Sequence, residues 1–148
     1  MFGPMSKSAK AALSNAAEEA ARQGDRRIGT NHLLLGLLHD SAIAGSLGVD
    51  VEHARATAQD LDRQALAGIG LNLAQLPGPI VRRVSGHAPL TSGLRAVIAR
   101  AVDLAATERV RTAEPRHLMA ALLERRKPDP AAELLEAMRP HRNSATPQ

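Results

Sequence analysis

Two histidines, His32 and His117, each stand at the start of a leucine-rich stretch: Ile28-Gly29-Thr30-Asn31-His32-Leu33-Leu34-Leu35-Gly36-Leu37-Leu38 and Thr112-Ala113-Glu114-Pro115-Arg116-His117-Leu118-Met119-Ala120-Ala121-Leu122-Leu123. An imidazole can bind a metal, move a proton or hold a backbone group. A metal site draws on three or four convergent ligands. The chain has no cysteine, and no close acid pairing joins either histidine, so no metal site is predicted. Serine, histidine and aspartate all occur, but no nucleophile elbow or metal motif frames them. Glu18-Glu19 reads as a solvated turn of helix. No P-loop of the form Gly-x-x-x-x-Gly-Lys-[Ser/Thr] occurs in the 148 residues. These features predict no enzyme and no cofactor. The use left for the two imidazoles is structural, a bond to backbone near a helix start in each half.

The elements that would place them read as helices throughout. Ser6 caps a first helix with Ala9, Leu13, Ala16, Ala17 and Ala20 at helical spacing, and Lys7, Lys10, Glu18, Glu19 and Arg22 toward water. Gly24 closes it. Ile28-Gly29 forms a turn, and Thr30 caps a second helix running to about His39. A short helix covers Ser41 to Leu47 and stops at Gly48. Asp50 caps a fourth, with Val51, Ala54, Ala58 and Leu61 inward. Glycines and prolines then punctuate residues 68–88, which read as a linker with little regular structure. Thr91 caps a fifth helix with Leu94, Val97, Ile98, Ala101, Leu104 and Ala105 on one face. Glu114-Pro115 and Asp129-Pro130 each start a helix with proline in the first turn, the last running through Met138. Residues 139–148 read as a flexible tail.

The halves align at a constant offset. Ser6 matches Thr91, Ala9 matches Leu94, Leu13 matches Ile98, His32 matches His117, Leu37 matches Leu122 and Leu38 matches Leu123, each pair 85 residues apart, as 117 is from 32. Two copies of a helical unit predict packing about a pseudo-two-fold axis, each burying the apolar face the other cannot cover alone. The fold class expected is all-α: two pseudo-symmetric four-helix-type repeats in one globular domain over residues 1–138, repeat one at 6–67 and repeat two at 89–138. Leu33, Leu34, Leu35, Leu37 and Leu38 are expected in the core, and Gly36 to let two helices approach closely.

Composition narrows the setting. The net charge is +4, with acids and bases interspersed, which weakens the case for a nucleic-acid footprint. Aromatic content is 1 %, so the core must be aliphatic. No apolar run is long enough to span a bilayer, and the start lacks the layout of a signal peptide. The expected location is cytoplasmic, with no membrane contact.

Glu18-Glu19-Ala20 with the Ile28–Leu37 run, and Gly86-His87-Ala88-Pro89-Leu90-Thr91 ahead of the second copy, resemble the repeat of the Clp N-terminal domain. The opening Met1-Phe2 is similar to the start of actinobacterial ClpC-type unfoldases, and the resemblance covers about residues 1–138. It implies two four-helix repeats and a domain that receives substrates and adaptor proteins in front of ATPase modules. The same domain binds certain cyclic-peptide antibiotics. The apolar groove it implies falls here on Phe2, Leu13, Pro89, Leu90, Thr91 and Arg95. Relatives usually carry Phe at the Leu90 position, and an acid where Ala99 stands. The acids that hold phosphorylated arginine in some members are matched by Asn31, which is uncharged, and Arg116, which reverses the sign.

The function expected is therefore a non-enzymatic peptide- or protein-binding module, freestanding without ATPase modules. Its expected partners are a Clp unfoldase, its adaptors or its substrates, and it would act as adaptor or competitor. One alternative is sequestration of cyclic-peptide antibiotics. Another is a small basic DNA-binding protein using Arg22, Arg26, Arg27, Arg82 and Arg83, a reading that the scattered charge disfavours.

Overall fold

The computed structural model describes residues 4–70 and 88–144, with side chains through 139. Among the described residues seven helices run: α1 (Lys7–Arg22), α2 (Thr30–Leu37), α3 (Ser41–Leu47), α4 (Val51–Gly68), α5 (Ser92–Thr107), α6 (Pro115–Leu123) and α7 (Pro130–Ser144). Four belong to the first repeat and three to the second. At the offset of 85, the place of α3 in the second copy holds Pro128 and Pro130, whose rings cannot sit inside a helix. Most of the expected linker, residues 71–87, lies outside the described residues. Helix α7 continues to Ser144, beyond Met138.

Several starts follow from single side chains. The Ser6 hydroxyl accepts from Ala9 N–H at 3.1 Å, and Thr91 does the same for Leu94 N–H at 3.1 Å. Asp50 caps α4 through His53 N–H at 2.7 Å. Gly48, at φ 71°, closes α3 in the left-handed conformation that glycine adopts without penalty. Thr30 departs from expectation. The N-cap of α2 is Gly29, and Thr30 is the first helical residue. The Thr30 hydroxyl donates instead to Asp129 Oδ1 at 2.8 Å and accepts from Ala131 N–H at 3.2 Å. It serves the start of α7 across the repeat junction. Helix α2 also ends at Leu37 rather than near His39, because the chain turns there into the Asp40 cap of α3.

Helix α2 is the centre of the molecule. Leu33, Leu34, Leu35 and Leu37 are fully buried and Leu38 nearly so. Leucines at consecutive positions cannot share one face, and a helix that is apolar all round must be enclosed. Helices α1, α4, α5, α6 and α7 all pack on it. Gly36 permits the closest of these approaches. A Cβ placed there would stand 2.5 Å from Ala12 O and 2.8 Å from Ala16 N of α1.

The repeats interlock by exchanging backbone bonds. Ser6 N–H donates to Ala113 O at 3.0 Å, and Ala113 N–H to Pro4 O at 2.9 Å. In the other direction, Thr91 N–H donates to Ile28 O at 3.0 Å, and Ile28 N–H to Pro89 O at 3.0 Å. Met5 thereby pairs with Ala113 and Ile28 with Leu90, both in parallel. Each bond of one set becomes a bond of the other when 85 is added to one residue and taken from its partner. The pseudo-two-fold relation is thus written in the backbone as well as in the side chains.

Candidate binding site at the junction of the repeats

The two histidines do the same work in each copy. Gly29 N–H donates to His32 Nδ1 at 2.9 Å, and Glu114 N–H donates to His117 Nδ1 at 2.9 Å. A backbone N–H can only donate, so Nδ1 is the acceptor and the ring proton sits on Nε2. From Nε2, His32 donates to Asp25 Oδ2 at 2.8 Å, and His117 to Glu108 Oε1 at 3.0 Å. Both rings are buried. Each satisfies an N–H that the first turn of a helix leaves without an internal partner. No group of three or more histidines, acids or cysteines is placed to hold a metal among the described residues.

Around His32 the junction opens into a depression of about 470 Å³. Three helix starts meet there. Gly29, Thr30 and Asn31 come from α2, and Thr91, Ser92 and Gly93 from α5. The third side is the turn into α7, with Arg125, Arg126 and Asp129. Asp25 and Arg27, from the turn before α2, complete the rim. Asp129 organises the floor and is buried. Its Oδ1 accepts from Thr30 Oγ1, from Ala131 N–H at 2.9 Å and from Ala132 N–H at 3.3 Å, and its Oδ2 from Arg125 Nε at 3.1 Å. A Cβ on Gly93 would stand 3.3 Å from Asp129 Oδ2 and 3.4 Å from Arg125 Nη2. Glycine therefore lets α5 come close to this pair.

Of the residues expected in the apolar groove, Thr91 lines this depression. Its hydroxyl is occupied in capping α5. Pro89 and Leu90 precede it in the backbone exchange with Ile28. Leu13 and Leu90 are partly buried against the core, and Arg95 is exposed on α5. Phe2 lies outside the described residues, as do Arg82 and Arg83. Arg22, Arg26 and Arg27 are exposed.

Two charged residues have partners that their spacing did not announce, and one of them, Glu19, also departs from its expected exposure. Glu19 is buried, not solvated. Arg55 of α4 clasps it with Nε 3.0 Å from Oε1 and Nη2 2.6 Å from Oε2, and His39 Nε2 lies 3.1 Å from Oε2. Burial alone would raise its pKa. The bonds from Arg55 and His39 outweigh that and hold it below the usual carboxylate value. Arg116 is paired, with Nη2 2.7 Å from Glu108 Oε1. Glu108 thus takes both Arg116 and His117, and its pKa falls to about 2, chiefly through Arg116.

Sequence reasoning singled out Asn31, His32 and Thr91 separately, each for a different reason, and pointed neither to Asp129, Arg125 or Gly93 as site residues nor to the meeting of all six. Thr30 and Asp129 meet across 99 residues of chain, and no local spacing announces such a meeting.

The sequence model of the Clp repeat (R) N-terminal domain matches residues 4–138. Among solved structures, the chain is similar to the N-terminal domain of the caseinolytic protease associated chaperone ClpD from Arabidopsis thaliana. That match has a TM-score of 0.70 and 21 % identity, and it covers 97 % of this chain and 90 % of that one. At this identity the likeness is one of fold. No curated protein matches by sequence.

Proposed function

This chain belongs to the Clp repeat N-terminal domain family, and from that premise we propose that it is a non-enzymatic binding module for a Clp unfoldase, its adaptors or its substrate proteins. The carrying observation is the family match over residues 4–138. The reciprocal backbone exchange supports it, since such a platform offers a preformed surface at low ordering cost. The proposed contact surface is the groove of Phe2, Leu13, Pro89, Leu90, Thr91 and Arg95. In this reading the chain acts as an adaptor or a competitor in Clp-dependent proteolysis.

The test is a degradation assay with a purified Clp unfoldase and its peptidase. Added chain raises turnover of a subset of substrates if it is an adaptor, and lowers turnover if it competes. Arg95→Glu, at an exposed position, weakens either effect. No change in turnover at excess chain, with no complex by calorimetry, ends the proposal.

Leu13 and Leu90 are only partly covered by the core, which favours a second reading, in which the same groove sequesters cyclic-peptide antibiotics. Calorimetric titration of such a peptide into wild type and Phe2→Ala tests it. Equal heats for both proteins, or none for either, dispose of it.

A further inference from the structure

We draw no further inference here: the strongest candidate, the apolar strip of Ala65, Leu66 and the exposed Ile69 at the C-terminal end of α4, carries none, because nothing in the structure shows what covers it.

Discussion

Glu19 shows what one side chain can decide. Its carboxylate lies in the body of the molecule, yet it remains ionised because Arg55 and His39 supply bonds that burial alone would not offset. Its folded pKa is depressed below the ordinary 4.5. The stability it contributes is therefore fully present above that unfolded value and is lost as pH falls through the folded one. Glu19→Gln keeps the shape but removes the charge, leaving the guanidinium of Arg55 poorly matched. The expected cost near neutral pH is about 1–3 kcal/mol, read as a lower denaturation midpoint at unchanged slope. The variant should also lose less stability than wild type on acidification below about pH 4.5, because one group that must protonate is gone. Parallel acid profiles would show that Glu19 is not the titrating anchor described. Sequence reading assigned this residue to water because helical spacing alone cannot see Arg55, 36 residues away.

At the scale of elements, glycine marks where helices touch and where they do not. Gly36 lies against the backbone of α1, so Gly36→Ala must drive two helices apart. Neither Ala12 O nor Ala16 N can rotate away. The expected loss is about 1–3 kcal/mol or more. Gly45 sits in α3 with nothing within 4 Å of a Cβ. Gly45→Ala should therefore stabilise by about 0.5–1 kcal/mol through helix propensity. Thermal melts of the two variants separate packing from propensity, and shifts of the same sign would contradict the geometry. The contact at Gly36 was legible in the sequence, since a glycine inside a leucine helix with a small residue, Ala121, at its repeat position points to close approach. The leucines declared their burial as well. What stayed hidden was that they surround α2 on all sides. That follows from α4 and α7 also packing on it, and neither helix carries a local mark of where it docks. The α2 cap was misassigned for a related reason. Thr30 has the right chemistry for an N-cap, but its hydroxyl is drawn to Asp129, whose buried carboxylate takes this donor from the other repeat beside those of its own.

For the whole molecule, the question is whether two repeats make one cooperative unit. Neither repeat closes its own lead-in. The segment before α1 bonds to the turn before α6, and the segment before α5 bonds to the turn before α2. Opening either repeat therefore removes two backbone bonds from the other, together with the shared burial of Met5, Ile28 and Ala113. The symmetry is broken further out. Leu38 is buried, while its repeat mate Leu123 is 56 % exposed, so the second copy has the thinner cover. A pair of independent repeats would then let the second open first, and a coupled pair would not. Native-state hydrogen exchange distinguishes these cases through four amides. Ser6 and Ala113 report one exchange of bonds, and Ile28 and Thr91 the other. The expected result is that all four exchange with opening free energies alike, within about tenfold in protection, and near the global value. Protection of all four amides lower than the global value by orders of magnitude would mean that the thinner cover of the second repeat prevails over the interlock. In that case the depression at the junction, which needs the starts of α2, α5 and α7 held together, would be assembled only part of the time.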